Sequence, residues 1–517
     1  MAHPFDRYAA FTDLKLLLES SGRPLRKSKR VNTLKCSVEE FKHWAKAKNW
    51  TIEPVPWCPE GFFIERENRD EAIGKDLLHI LGYTYLQEAA SMLPVELLDP
   101  KPGENILDMS AAPGSKSTQI AAALTPDPSP DSLTPGPSPE GRGEKGGLLV
   151  ANDVQEKRIW ALLNNLQRCG VVNMMVTKKV GQWFAGNMTE KFDRVLCDAP
   201  CTAQGTVRKD SDSLNYCSMD NIGKMARLQR ELLESAVHAA KVGGRIVYST
   251  CTLTPEENEG VILSILNKYS DQVFVLDPRE IAGSRQRSAI SYFDRAIEDS
   301  IKVQGWLISE KKKSSQLTAH SSPLLRFWPQ TADTEGFFTA VLGKRAPTNA
   351  ATKKFTKEDF PRFEIIPHSK QKEITSKLLD CYGTGFLRDD ELLIAASDQL
   401  HAIPDELLKL RIPAKPFSFG LPFGKTTTYG MVRLSHEMAT LRGHGATRQI
   451  LIVSMDELKA AFQGKNLSSN LKDLEDGDLL LAIRDPGFDR PIIIGRGLLK
   501  EGKILNRLPR DIVRMFT

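Results

Sequence analysis

Two cysteines stand where an α/β protein presents reactive groups. Cys251 follows the apolar run Arg245-Ile246-Val247-Tyr248 and the polar pair Ser249-Thr250. Cys201 follows a second apolar run, residues 192 to 197, and the turn Asp198-Ala199-Pro200. Ligands of open parallel sheets collect outside the carboxyl ends of the strands, so both thiols and the Asp198 carboxylate are expected to face one substrate. A free thiol with a pKa of about 8.5 is only a few per cent thiolate at neutral pH, so a nucleophilic cysteine needs a nearby cation or helix N-terminus. Thr254-Pro255-Glu256-Glu257-Asn258 reads as such a helix start, with Pro255 in the first helical position. Cys197, inside its strand, and Cys36 and Cys169 read as small buried hydrophobes.

A third feature is the turn Ser110-Ala111-Ala112-Pro113-Gly114-Ser115-Lys116, between an apolar strand at 105–109 and a helix rich in small residues at 117–124. It is not a phosphate loop, which needs glycine directly before lysine and an earlier glycine where this chain has Met109. Small residues here still let a ligand approach backbone N–H groups at a helix start, which favour a carboxylate. The methionine carboxylate of S-adenosylmethionine suits that turn. Asp153, beyond the next strand at 148–152, would accept hydrogen bonds from ribose hydroxyls. The 39 positions from Gly114 to Asp153 are wide against the usual ~20. Segment 125–147, with proline at 126, 128, 130, 135, 137 and 139, accounts for the excess and reads as a disordered insertion in an ordinary βαβ unit.

These features must be positioned by alternating strands and helices. Apolar runs at 105–109, 148–152, 171–176, 192–197 and 245–248 are interleaved with helical stripes such as Ile159, Leu162, Leu163 and Leu166. The alternation predicts a largely parallel sheet covered on both faces, closed by a strand at 336–342. Residues 1–95 read as an accessory layer, including a capping box at Ser37 and Glu40. The sheet domain spans 96–345, with 277–322 as another candidate insertion. A linker at 346–365 leads to a β-rich region at 366–517.

With 517 residues, 41% of them hydrophobic and 26% charged, the chain has the composition of a soluble multidomain protein. No apolar run spans a bilayer and the N-terminus has no signal-peptide pattern, so a cytoplasmic location is expected. Eight scattered cysteines make neither a disulfide framework nor a zinc set. A net charge of +5 permits nucleic-acid binding without demanding it; the densest basic run is Arg23-Pro24-Leu25-Arg26-Lys27-Ser28-Lys29-Arg30.

The Asp-Ala-Pro-Cys of 198–201, and the Ser-Thr-Cys-Thr of 249–252 with Glu256-Glu257-Asn258-Glu259 after it, resemble the RNA cytosine-C5 methyltransferases of the Nol1/Nop2/Sun family. Residues 110–116 are similar to that family's S-adenosylmethionine motif, and residues 30–35, 85–94 and 333–338 match as well. The resemblance covers about residues 20 to 345. Pro56-Trp57-Cys58 and the N-terminal wording are most similar to bacterial enzymes of small-subunit ribosomal RNA. The C-terminal region resembles, more loosely, their PUA-like RNA-binding module.

The resemblance implies a class I S-adenosylmethionine-dependent methyltransferase domain, Rossmann-like, with an N-terminal accessory layer and a PUA-like C-terminal domain. It implies that Cys251 adds to C6 of cytosine, that Cys201 aids proton removal and release, and that Asp198 contacts cofactor or base. The target base must be flipped to be reached. In one departure, Val180 stands where the family carries an acid near the adenine. RNA is the expected partner, with no membrane, no metal and a monomeric protein. Transfer RNA is the alternative substrate, and a non-catalytic RNA-binding assembly factor the alternative of another class. A DNA or amino-nitrogen methyltransferase would carry Asn/Asp-Pro-Pro-aromatic where this chain has Asp-Ala-Pro-Cys.

Overall fold

The computed structural model describes residues 3–66, 72–125, 146–281, 289–311, 322–350, 353–427, 431–467, 474–510 and 512–513. The first sheet is antiparallel, built from β1 (Ser28–Val31), β2 (Thr51–Val55), β3 (Cys58–Glu65) and β4 (Thr84–Leu86) in the order β2-β3-β1-β4. Beside it lies the helix Val38–Ala47, which starts on the predicted capping box of Ser37 and Glu40.

The central sheet gathers β5 (Asn105–Asp108), β6 (Leu148–Asn152), β7 (Met174–Thr177), β8 (Phe192–Asp198), β9 (Ala240–Thr250), β10 (Val273–Val275), β11 (Leu325–Phe327) and β12 (Phe337–Lys344). Its order runs β10-β12-β9-β8-β5-β6-β7, with β11 alongside β12. β5 to β9 are mutually parallel and β12 is antiparallel to β9. This is the Rossmann-like fold expected. Successive residues enter opposite cores: Ile106, Leu149 and Leu196 pack on one face, and Leu107, Val150 and Val195 on the other. Burial of both faces is why the strands read as unbroken apolar runs. The chain leaves β5 toward β6 and β7, then returns to pair β8 on β5's other side, so the ligand crevice lies at their carboxyl ends.

Gly147 donates its N–H to the Leu124 carbonyl, 3.1 Å away. The ends of the predicted insertion, 125–147, thus meet at one point of the sheet domain, and its residues 126–145 lie outside the described ones. The second candidate insertion, 277–322, is packed into the domain where it is described. Its helix Ile290–Lys311 buries Phe293, Ala296 and Ile297 in the main core, and Val303 and Leu307 meet Phe5, Tyr8 and Trp328. Residues 282–288 and 312–321 lie outside the described ones.

Beyond Lys344 the expected linker is not a free tether. Lys353 donates its N–H to the Gly186 carbonyl, and β13 (Glu364–Ile365) already belongs to a five-stranded sheet with β14 (Glu391–Ala396), β15 (Gln399–Pro404), β17 (Leu421–Thr426) and β18 (Val432–Leu434). Between them β16 (Ser418–Phe419) pairs antiparallel with β7 and extends the central sheet. A last sheet holds β19 (Ile450–Ile452), β20 (Gly477–Ile483), β21 (Ile492–Lys500) and β22 (Lys503–Asn506). It shares one core with the N-terminal layer: Phe41, Trp44 and Tyr83 pack with Leu458, Leu479 and Ile494. No helix among the described residues is long and apolar enough to cross a membrane.

Candidate active site

β8 and β9 are in register with Asp198 opposite Ser249, and the Ala199 N–H donates to the Ser249 carbonyl at 2.9 Å. Both cysteines therefore emerge from adjacent strand ends at the same height. Their sulfurs are 3.4 Å apart and both residues are partly exposed. The hydrogen bond to Cys251, and then burial, push the Cys201 thiol well above its ordinary pKa. Cys36, Cys58, Cys169 and Cys197 are buried, as small hydrophobes should be.

Asp198 ends β8 with both oxygens engaged. Ser249 Oγ donates to Oδ1 at 2.6 Å, and Lys116 Nζ donates to Oδ2 at 2.7 Å. Burial works to lower the Lys116 pKa, but Asp198 outweighs it and holds the ammonium above its usual value; Asp108 and Cys251 add to that field. A cation therefore stands beside the thiol pair. The helix after Cys251 spans Glu259–Lys268, with Asn258 as its N-cap, so Pro255 is not its first residue. Residues 255–258 form a turn instead.

That turn carries a buried network which reading the motifs for chemistry alone did not assign. Glu257 accepts hydrogen bonds from the Thr202 N–H (3.0 Å), Gln229 Nε2 (2.8 Å), Thr254 Oγ1 (2.7 Å) and the Thr202 hydroxyl. Its own carbonyl accepts from the Tyr248 hydroxyl at 2.6 Å. Asn258 takes the Thr250 hydroxyl at 2.5 Å and donates to the Thr252 carbonyl at 3.0 Å, bracing Cys251 from both sides. One layer out, Glu259 is fully buried and pairs with Arg326, whose Nη1 reaches the Leu253 carbonyl at 2.7 Å. The sequence signal for all of this was the acidic run after Cys251.

The turn after β5 is held from two sides. The Ala111 N–H donates to the Asn152 carbonyl at 2.7 Å, Arg158 Nη2 to the Ala112 carbonyl at 2.6 Å, and Asn165 Nδ2 to the Pro113 carbonyl at 2.9 Å. Gly114 has φ +108° and caps the helix Ser115–Ala123. Ser117 Oγ donates to Asp108 at 2.7 Å, and burial pushes that carboxyl up to about 7. Asp153 is 2% exposed; one oxygen accepts the Gln155 N–H at 2.9 Å, while Oδ2 faces Arg158 Nη1 at 3.4 Å in an ion pair without a hydrogen bond. That oxygen can still accept a hydrogen bond, and a ribose hydroxyl is a suitable donor. With the free N–H groups of the helix Ser115–Ala123, these residues fit S-adenosylmethionine. Val180 is 55% exposed beyond β7 and brings no hydrogen-bonding side chain to this edge.

The fold also brings the ligand atoms of Cys58, Glu60 and Glu96 within 4.8 Å of one another, which spacing did not suggest. Gln119 Nε2 donates to Glu96 at 2.8 Å, and burial followed by Glu60 pushes the Glu96 carboxyl up to about 8. A carboxyl that keeps its proton is a poor metal ligand.

Comparison with known proteins adds to this geometry. Residues 143–343 match the family described as 16S rRNA methyltransferase RsmB/F, and residues 8–89 match the N-terminal domain of 16S rRNA methyltransferase RsmF. The chain is 32% identical over 504 residues to the ribosomal RNA small subunit methyltransferase F of Vibrio atlanticus (strain LGP32), covering 97% of this chain and 94% of that protein. It is 33% identical over 494 residues to the protein of the same description in Vibrio vulnificus (strain YJ016), covering 95% and 92%. A solved structure of a methyltransferase homolog protein from Pyrococcus horikoshii is 30% identical with a TM-score of 0.50, covering 66% of this chain and 94% of that one.

Proposed function

The chain belongs to the RsmB/F family of 16S rRNA methyltransferases, and from that premise we propose that it methylates C5 of a cytosine in small-subunit ribosomal RNA through a covalent bond between Cys251 and C6. The observation that carries this reading is the pair of thiols 3.4 Å apart beside the Lys116–Asp198 ion pair. C5 of cytosine is a weak nucleophile. Addition of the Cys251 thiolate to C6 shifts the ring electrons onto C5, which can then attack an electrophilic carbon. S-adenosylmethionine, when bound, supplies that carbon as a methyl group on a positively charged sulfur.

Lys116 sets a cation beside Cys251 and fixes the Asp198 carboxylate, so a negative acceptor points at the base without swinging away. After transfer the C5 proton must leave; its bonding pair re-forms the C5–C6 double bond and the C6–S pair returns to Cys251. Cys201 serves that step. Its sulfur lies 3.4 Å from that of Cys251, which sets it beside the adduct, where as a thiolate it takes the C5 proton and becomes the thiol. Ser110 to Lys116 would hold the cofactor's amino-acid end and Asp153 its ribose. The C-terminal sheets act as the PUA-like RNA-binding region.

Bisulfite sequencing of ribosomal and transfer RNA from cells lacking this protein tests the reading. The expected result is loss of one protected cytosine in 16S rRNA, restored by the intact chain. Loss confined to transfer RNA, or no loss in either RNA, would overturn it.

A further inference from the structure

The fold sorts the basic run Arg23 to Arg30 into two groups. Lys29 is buried against Asp76. Arg30 is buried and donates to Gln87 at 2.9 Å and Thr118 at 2.7 Å. Arg26 pairs with Glu53 and lies 3.9 Å over the Phe63 ring. Arg23 and Lys27 remain exposed, with no side-chain partner among the described residues.

Arg208, seven residues past Cys201, sets where they stand. Its buried side chain donates to the Arg23 (3.2 Å), Pro24 (2.8 Å) and Thr334 (3.1 Å) carbonyls and pairs with Asp333 at 2.9 Å. The next residue, Lys209, is exposed and likewise has no side-chain partner among the described residues. The basic segment is thus fastened to the wall that carries Glu335 and, two residues on, Phe337. Burial raises the Glu335 pKa, and Lys209, Lys116, Arg208 and Lys27 each pull it back down. Lys27 and Lys209 therefore act on the same carboxyl as Lys116, the residue that holds Asp198. Of the acids nearby, Asp333 pairs with Arg208 and Asp198 with Lys116, Asp210 accepts the Asp212 N–H at 3.1 Å, and Glu335 lies in the field of these same cations.

We propose that Arg23, Lys27 and Lys209 form a phosphate-gripping rim that holds the RNA strand flanking the cytosine as it enters the Cys251 site. The inference rests on the RNA-substrate reading above. Extruding a base requires its neighbours' backbone to be held, and unpaired cations do this by releasing counterions from the phosphates. Such contacts position the strand without reading its sequence.

The test is a filter-binding titration over a salt series, using small ribosomal subunits from a strain lacking this protein and the naked 16S rRNA extracted from them. Methyl transfer from labelled S-adenosylmethionine is followed in the same samples. R23Q/K27Q/K209Q is expected to bind about ten- to thirtyfold more weakly near physiological salt, with a salt slope smaller by about 1 for each cation removed. Its kcat at saturating RNA stays near wild type. K241Q removes a charge near the start of β9, the end opposite Cys251, and is expected to bind as wild type. Unchanged affinity and slope in the triple variant, or a per-charge loss in K241Q as large as in the triple variant, would overturn the rim. No methyl transfer by the wild-type protein, with the binding loss still seen in the triple variant, would sink the functional reading and leave the rim in place.

Discussion

The two cysteines carry the same thiol and differ only in their surroundings. Cys251 stands on a loop braced by Asn258, and Cys201 on a loop whose Thr202 is tied to Glu257. Cys251→Ala is expected to abolish methyl transfer with an unaltered thermal midpoint; retained turnover in that variant sinks the covalent mechanism. Cys201→Ala should trap the RNA–protein adduct, seen as a slow band on a denaturing gel, and normal turnover without that band would remove its role in release. Glu88 gives a pH prediction. Burial and Glu335 push its carboxyl up to about 8, against about 4.3 in an unfolded chain. Between those values the folded protein keeps a proton that the unfolded chain has lost. This group's stabilisation is therefore complete below about pH 4.3 and is lost as pH rises through about 8. The stability of Glu88→Gln relative to wild type should accordingly rise from about pH 5 to about pH 8 in calorimetric scans, and a flat difference would mean that the carboxyl is not proton-bound.

At the scale of elements, each site residue sits on the carboxyl end of a parallel strand or just past it, so strand register sets the distances between them. The turn after β5 is the element most exposed to a single change. A Cβ on Gly114 would lie 3.2 Å from Leu162 Cδ1, at a φ of +108°. Backbone strain for an L-residue in such a conformation is on the order of 1–2 kcal/mol. Gly114→Ala is therefore expected to raise the KM for S-adenosylmethionine by up to about tenfold, with the KM for RNA unchanged; a selective rise in the RNA KM would remove the turn from the cofactor site. The expected helix start at Pro255 failed for a local reason. Proline suits the first helical position, but the Glu257 carboxylate and the Asn258 side chain are drawn inward by Thr202, Thr250 and Thr254, and those bonds hold the turn open until Glu259.

At the scale of the whole molecule, the N-terminal layer and the last sheet are one packed body. Gly487 lies so close to Trp44 that a Cβ would come within 2.4 Å of its Cα. Arg490 reaches Glu40 at 3.0 Å and the Lys35 carbonyl at 2.9 Å. Lys35 Nζ donates to the Leu81 and Arg168 carbonyls and the Thr440 hydroxyl, and burial lowers its pKa to about 7. Ile403, Leu407, Leu410 and Ile412 meanwhile complete the core on one face of the central sheet. Each such side chain is worth roughly 1.5–3 kcal/mol when fully buried. A chain ending at Arg345 is therefore expected to aggregate or to melt well below the full protein. A monomeric fragment with the full-length thermal midpoint would show that the C-terminal region contributes little to folding.

Much of the fold and the pairing of the two cysteines were legible in the chain itself, because local rules govern them. Strands buried on both faces must be apolar runs, small residues must fill a turn that meets a ligand, and strand ends must carry the chemistry. The parallel sheet, the two thiols, Asp198 and the turn after β5 follow from those constraints. What a linear reading does not contain is which polar groups become partners across the fold. The Lys116–Asp198 pair, the Glu257 network and the fate of each cation in the run from Arg23 to Arg30 depend on contacts between residues tens to hundreds of positions apart. So does the shared core of the two chain ends. Those were decided only by tertiary structure, where burial forces every charge to find a counter-charge, a hydrogen bond or water.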